Sequence, residues 1–152
     1  MGMLVLTPDR IGSLKSLALA TCATLLTSAA AATPATVQVS LTDKGIESMA
    51  MVLSTAQARA GSVTFQVSNK SETLVHEFVV VKTDAALGAM PYSQEENEVK
   101  EDSVQALGEV EDLDPGKSGT LILTMPPGRY VLLCNKAGHF RAGMAHDFTV
   151  VP

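Results

Sequence analysis

The chain has 152 residues, a length that one domain of ordinary size accounts for. Its formal net charge is −5 and only 18 % of its residues are charged. This argues against a nucleic-acid partner, because nucleic acids select strongly basic surfaces.

Residues 1–32 have the three parts of a secretory signal peptide. Arg10 and Lys15 supply a basic region, an apolar stretch follows over residues 17–26, and small residues follow from 27 to 33. The apolar stretch is shorter than a membrane span requires. We therefore expect cleavage near residues 30–32 and a periplasmic or otherwise exported domain over residues 33–152, without an integral membrane span. Lipid anchoring at Cys22, or an uncleaved leader, is the alternative.

Export would leave Cys134 as the single cysteine of the mature domain, whose net charge becomes −6 once Asp9, Arg10 and Lys15 are removed. An unpaired thiol in an oxidising compartment is a buried inert group, a partner in an intermolecular disulfide, or a metal ligand. The residues around Cys134 indicate which of these roles applies.

Alternation of apolar and polar residues predicts an all-β domain. We expect strands at residues 37–41, 49–53, 63–67, 74–81, 109–113, 120–125, 129–134 and 145–151. Seven or eight strands separated by turn residues, with few helices, predict an antiparallel β-sandwich. Residues 84–108 interrupt the pattern and predict one irregular or short helical insertion, with Val99 and Leu107 facing inward.

The insertion is acidic, and Lys100 is the only positive charge among Glu95, Glu96, Glu98, Glu101 and Asp102. Such a run is commonly a solvated face. The alternative is an acidic docking patch for a basic redox partner.

His76 lies in the most apolar predicted strand. A period of two places it on the same face as Leu74, Phe78 and Val80, with Glu77 on the opposite face. A histidine in that position is more often a hydrogen-bonded core residue than a metal ligand. Ligation by His76 therefore depends on other donors in the chain.

Those donors are Cys134, His139 and Met144, spaced at intervals of five near the C-terminus. Thiolate, imidazole and thioether groups select copper over magnesium, calcium or manganese. His76 supplies a fourth donor if its strand runs beside that of Cys134. We predict a metal site formed by these four residues, with no catalytic residues and no other cofactor.

Two histidines, one cysteine and a weak axial methionine form a blue-copper electron-transfer site. Cu(I) and Cu(II) prefer different coordination, and this set suits both moderately well, so little reorganisation accompanies electron transfer. Gly138 and Gly143 each precede a predicted ligand, where we expect backbone conformations that a side chain would resist.

The pattern His76…Cys134-x4-His139-x4-Met144 resembles the blue-copper cupredoxins, and its spacing is most similar to that of auracyanin and rusticyanin. Residues 76–81, 115–117 and 127–134 also resemble small exported bacterial cupredoxins. The resemblance implies a Greek-key β-sandwich and one type 1 copper ion bound by His76 Nδ1, Cys134 Sγ, His139 Nδ1 and Met144 Sδ. It also implies a one-electron carrier, not an enzyme, that serves larger redox proteins.

In the family, the C-terminal ligand histidine is the electron exit and lies near the surface within an apolar patch. Ala137, Phe140 and Ala142 would supply part of that patch here, and a redox partner would dock on it. Glu77 departs from the family pattern, in which an asparagine often follows the first ligand histidine and braces the cysteine loop. The resemblance therefore leaves open the reduction potential and whether the site is blue or green.

Two further residues have expected roles outside the ligand set. We expect Tyr130 to be structural, with its hydroxyl bonded to backbone near a turn. His146 is expected at the surface or in contact with a ligand, and ligation by His146 is the alternative.

Three other functions compete with electron transfer. A copper carrier would deliver the metal to an exported cuproenzyme. An enzyme is disfavoured because four ligands fill the site and three histidines cannot also build a trinuclear cluster. The last alternative is a metal-free, adhesion-like sandwich.

Overall fold

The computed structural model describes residues 34–45 and 48–152, so the predicted signal peptide and Cys22 lie outside the described residues. The described residues form two short 3₁₀ helices, Leu87–Ala89 and Glu101–Ser103, and eleven strands: β1 (Ala35–Asp43), β2 (Met49–Leu53), β3 (Gln57–Arg59), β4 (Gly61–Asn69), β5 (His76–Lys82), β6 (Tyr92–Ser93), β7 (Glu98–Val99), β8 (Gln105–Leu113), β9 (Ser118–Met125), β10 (Gly128–Leu133) and β11 (Ala145–Val151). Among these residues, no helix has the length and apolar character needed to cross a membrane.

Two sheets form a β-sandwich, as predicted. The first has the strand order β2-β1-β4-β9 and the second the order β3-β11-β10-β5-β8, while β6 and β7 form a separate hairpin. The sandwich was expected to be antiparallel, and most strand pairs are, but β1 pairs with β4 and β3 pairs with β11 in parallel. Alternation of side chains has the same period in both kinds of pairing, so the sequence pattern does not distinguish them.

The main core lies between the two sheets and is built by alternate residues of the strands. In β1 and β4 the inward residues are Val37, Val39, Leu41, Val63, Phe65 and Val67, all at most 1 % exposed. Phe65 contacts Phe78 and Phe148 of the second sheet, with ring centroids 5.2 and 5.6 Å apart. Each buried side chain of this size contributes about 1.5–3 kcal/mol relative to an exposed one.

Strand β5 is buried on both faces. Phe78 and Val80 face the main core, whereas Val79 and Val81 belong to a second apolar cluster on the outer side of the sheet. Burial on both faces explains the nearly continuous apolar sequence of this strand.

The second cluster is covered by the insertion. Met90 and Val99 of the insertion pack against Val131 and Leu133 of the neighbouring β10. The insertion therefore closes the outer face of the sheet beside the ends of β5 and β10.

The insertion ends earlier than the sequence indicated. Val99 is buried and Leu107 packs against the main core, so both face inward as predicted. The insertion, expected around residues 84–108, ends a few residues earlier, because β8 begins at Gln105. Strand β8 pairs with β5 with register shifts between His76 and Phe78 and between Val80 and Val81. Such irregularities break the period of two that a sequence pattern relies on.

Candidate metal centre

The pairing of β5 with β10 brings His76 close to the end of β10. The two strands are antiparallel, and Leu133 lies opposite Val79, so the residues after Leu133 continue toward the beginning of β5, where His76 lies. This confirms the expectation that the strand of His76 runs beside the strand that leads to Cys134.

The pairing of β10 with β11 closes the ligand loop. Leu133 lies opposite Ala145, and the Cys134 N–H donates to the Met144 carbonyl oxygen at 2.9 Å. Within the loop, the Met144 N–H donates to the carbonyl oxygen of His139 at 3.0 Å. The backbone therefore doubles back on itself and carries His139 toward Cys134.

Two glycines permit this path. Gly138 and Gly143 have φ angles of +83° and +109°, which confirms the expectation for both positions. A Cβ atom at Gly143 would also lie 2.8 Å from the Met49 carbonyl oxygen, so this position excludes a side chain on two grounds.

Three donor atoms converge in the protein interior. His76 Nδ1 lies 3.1 Å from His139 Nδ1, and Cys134 Sγ lies 3.4 Å from His139 Nδ1 and 3.9 Å from His76 Nδ1. His76 and Cys134 are fully buried, and His139 is 7 % exposed. Among the described residues, this is the only group of three or more histidine, cysteine, aspartate or glutamate side chains with the geometry to hold a metal ion.

The size of this triangle is close to that of a trigonal site for a first-row metal. First-row metals bind imidazole and thiolate at about 2.0 and 2.3 Å, so a trigonal site would have N–N and N–S separations of about 3.5 and 3.7 Å. The two N–S separations, 3.4 and 3.9 Å, bracket the expected N–S value. The N–N separation, 3.1 Å, is about 0.4 Å shorter than the expected N–N value. Imidazole and thiolate donors suit copper, and His76, Cys134 and His139 therefore form a candidate copper site.

Asp43 orients His76 from the side away from the triangle. Its Oδ2 lies 3.1 Å from His76 Nε2, and the side chains of His76 and Asp43 are 0 % and 5 % exposed. Hydrogen bonds from Ser71, His76 and the Gly45 N–H outweigh partial burial and lower the pKa of Asp43. A carboxylate at Nε2 favours the tautomer in which Nε2 carries the proton. Nδ1 then has a free lone pair, which points toward the other two donors.

The other two donors are strongly desolvated. Burial raises the pKa of the Cys134 thiol to about 11, against hydrogen bonds from the backbone N–H groups of Glu77 and Lys136. The first of these has an N–S distance of 3.4 Å. Burial, together with the nearby His76, lowers the pKa of His139. Burial alone therefore favours the neutral thiol of Cys134. A bound cation would favour the thiolate instead, because metals bind the deprotonated sulfur.

Glu77 braces the cysteine loop. Its Oε1 accepts a hydrogen bond of 2.9 Å from the Asn135 N–H, and its Oε2 lies 3.7 Å from Lys136 Nζ. Burial raises the pKa of Glu77, and Lys136 opposes that effect. The residue that departs from the family pattern thus contacts the residue next to Cys134.

Asn135 joins the loop to the insertion. Its amide accepts a hydrogen bond from the Val99 N–H at 2.7 Å and donates to the Val99 carbonyl oxygen and to Glu101 Oε1, both at 2.9 Å. The acidic side chains of the insertion surround an open cleft of about 600 Å³ that reaches Asn135. Both interpretations of the acidic run, a solvated face and a docking patch, agree with this position.

The remaining predicted residues lie as follows. Met144 is fully buried in the main core, directly before β11, and His146 is half-buried with its Nδ1 2.7 Å from the Asp147 carbonyl oxygen. The Tyr130 hydroxyl donates to the Pro126 carbonyl oxygen at 2.6 Å, which confirms its structural role. Sequence reasoning missed Asp43, because Asp43-Lys-Gly is also an ordinary turn signal.

No protein-family model matches the chain, and a search of curated proteins finds no relative. Solved structures do match it. Auracyanin B is 26 % identical, with 81 % of this chain and 94 % of that chain covered and a TM-score of 0.56. Auracyanin A, a "blue" copper protein from Chloroflexus aurantiacus, is 21 % identical, with 78 % and 99 % covered and a TM-score of 0.55. Rusticyanin from Thiobacillus ferrooxidans is 15 % identical, with 79 % of each chain covered and a TM-score of 0.62.

These similarities agree with the site geometry. Auracyanin and rusticyanin are the two proteins whose ligand spacing the sequence most resembled, and a His-Cys-His site is present in this chain. The chain therefore has the β-sandwich fold of the blue-copper cupredoxins, and its resemblance to auracyanin and rusticyanin is confirmed.

Proposed function

We propose that the protein is an exported electron carrier with one blue-copper centre, cycling between Cu(I) and Cu(II) as it serves larger redox proteins. The observation that carries the proposal is the buried triangle of His76 Nδ1, His139 Nδ1 and Cys134 Sγ, with separations of 3.1–3.9 Å. Imidazole and thiolate donors in a trigonal arrangement are the set that blue-copper sites use.

His76, Cys134 and His139 would hold the ion, which supplies a one-electron couple when bound. The role of the protein is to keep these donors in place and dry. Asp43 fixes His76, the Met144 carbonyl oxygen fixes the Cys134 backbone, and Glu77 fixes Asn135. Donors that do not move favour fast electron transfer.

We propose Met144 as a fourth residue that would hold the ion. It follows Gly143 and is fully buried at the end of the loop that carries Cys134 and His139. A thioether there would bind weakly and would tune the reduction potential.

The competing functions have less support. A copper carrier must release its metal, whereas Cys134 is fully buried and its loop is closed by backbone hydrogen bonds. An enzyme would need an open coordination position, and the proposed fourth ligand leaves none.

We place the docking of redox partners beside His139. This imidazole is 7 % exposed, and the nearby Ala137 is exposed while Phe140 and Ala142 are half-buried. An electron would leave by the ligand nearest the surface. Residues 1–32 would direct export and then be removed, which leaves residues 33–152 as the mature domain.

Addition of Cu(II) to the purified metal-free protein tests the function. We expect an intense blue or green absorption that saturates at one copper per chain and is bleached by a reductant. Cys134→Ser should abolish the band, because the colour arises from the thiolate. Cys22→Ser in the full chain is the matched control and should keep it. Saturation without an intense band would contradict the proposal.

Copper retention separates the carrier from the electron-transfer protein. The reduced, copper-loaded protein is mixed with a high-affinity Cu(I) chelator, and transfer is followed by the loss of the band after reoxidation. We expect retention over many redox cycles. Rapid and complete transfer would favour the carrier.

A further inference from the structure

The carboxylate of Asp43 lies beside the candidate copper site. It contacts the Nε2 edge of the His76 imidazole, opposite the Nδ1 atom that faces the other two donors. Asp43 ends β1 in the first sheet, whereas His76 begins β5 in the second, so their contact joins the two sheets. Oδ2 lies 3.1 Å from His76 Nε2, and Oδ1 accepts a hydrogen bond of 3.1 Å from the Gly45 N–H.

Within the part of the chain that the structure describes, no lysine or arginine forms an ion pair with this carboxylate. Its ion-pair partner in this part of the chain is His76. The other carboxylate near the site, that of Glu77, lies 3.7 Å from Lys136 Nζ. Among the described residues, Asp43 is therefore a carboxylate in contact with His76 that has no lysine or arginine partner.

A charge in this position acts differently on the two oxidation states of a bound ion. Cu(II) carries one more positive charge than Cu(I), so a nearby anion stabilises Cu(II) more. The interaction is strong because the side chains of Asp43 and His76 are only 5 % and 0 % exposed and water screens them little. A carboxylate that accepts the Nε2–H also makes Nδ1 a better donor.

We propose that Asp43 is a positioning residue that holds His76 in its ligating tautomer and, through its negative charge, lowers the reduction potential of the copper site. This inference rests on the proposed function. The negative charge lowers the reduction potential, and the hydrogen bond orients His76. The two effects can therefore be separated by substitution.

Asp43→Asn separates the charge from the hydrogen bond. The amide oxygen still accepts the Nε2–H, but the charge is gone. We expect a shift to higher potential such that, at a fixed ambient potential, the ratio of oxidised to reduced protein falls about tenfold, or about 59 mV for a one-electron couple. Asp84→Asn is the matched control, because it removes the same charge from an exposed residue beyond the far end of β5. Its potential should stay close to the wild-type value.

A second measurement needs no copper. In the metal-free wild-type protein, the ¹⁵N chemical shifts of His76 should show a protonated Nε2 and an unprotonated Nδ1. Asp43→Ala should give a mixture of tautomers. A protonated Nδ1 in the wild-type protein would overturn the inference, even if the Asp43→Asn protein fails to fold.

The outcomes distinguish the inference from the function it rests on. A wild-type protein that develops no blue or green band overturns the proposed function and this inference with it. A normal band, together with equal potentials for Asp43→Asn and Asp84→Asn, overturns the inference alone.

Discussion

Removal of the Glu77 side chain should loosen the cysteine loop. Glu77→Ala deletes the acceptor of the Asn135 N–H, which is 2.9 Å away, and Asn135 is only 5 % exposed. A buried N–H group left without an acceptor costs about 1–3 kcal/mol. The lost contact with Lys136, whose side chain is 34 % exposed, adds about 0–1 kcal/mol. We therefore expect Glu77→Ala to lower the free energy of unfolding by about 2 kcal/mol.

Glu77→Gln is the matched variant. It keeps an oxygen that can accept the Asn135 N–H and removes only the charge, so it should lower the free energy of unfolding by at most about 1 kcal/mol. Glu72→Ala, at an exposed position in the loop before β5, controls for the loss of a surface carboxylate. It should have little effect.

Urea denaturation of the metal-free protein measures these differences. A slope of about 1–3 kcal/mol per molar urea converts 2 kcal/mol into a midpoint shift of about 1 M. The copper-loaded Glu77→Ala protein should also show a broader visible band, because Asn135 follows Cys134 directly. Equal midpoints for Glu77→Ala and Glu77→Gln would refute the argument, since the hydrogen bond would then contribute nothing.

Two further predictions concern the ligand loop. Met144→Leu keeps the volume of a fully buried side chain, so the protein should retain its visible band. Its reduction potential, measured by redox titration, should shift because the thioether is lost. An unchanged potential would exclude Met144 as a ligand. Gly143→Ala forces a Cβ to within 2.8 Å of the Met49 carbonyl oxygen at a φ of +109°, whereas Gly138→Ala meets open space at +83°. Thermal unfolding should show a loss of about 1–2 kcal/mol for Gly138→Ala and a larger loss for Gly143→Ala; equal losses would contradict the steric reasoning.

The fold was largely predictable because side-chain alternation records burial. In β1, for example, the face that meets the core is shown by the alternate apolar residues Val37, Val39 and Leu41. Alternation does not report pairing, so the parallel contacts of β1 with β4 and of β3 with β11 were missed. The early start of β8 was missed for a related reason, since a strand with register shifts loses the period of two.

The convergence of His76, Cys134 and His139 was predictable because two of these residues lie in one loop and the third lies in a strand with a strong pattern. Asp43 was not, because its contact with His76 depends on how the two sheets face each other across the sandwich. No local pattern records that arrangement. The role of Glu77 needed the structure as well, since the family resemblance indicated only that Glu77 stands where an asparagine is common.

The insertion gives the metal centre a support that the sandwich alone does not provide. Asn135 bonds both backbone groups of Val99 in β7, and the Gly138 N–H donates to the Asn97 carbonyl oxygen at 2.7 Å. Farther along the loop, the Arg141 guanidinium lies 4.0 Å from the centre of the Tyr92 ring. The loop that carries Cys134 and His139 is thus fixed from outside as well as by β10 and β11.

Such a loop cannot open without breaking contacts to the insertion, so its local unfolding should require more free energy than that of a loop held only at its ends. That resistance to rearrangement is what a site serving two oxidation states needs. It gives the insertion a structural role in the proposed electron transfer that does not depend on the acidic charges it carries.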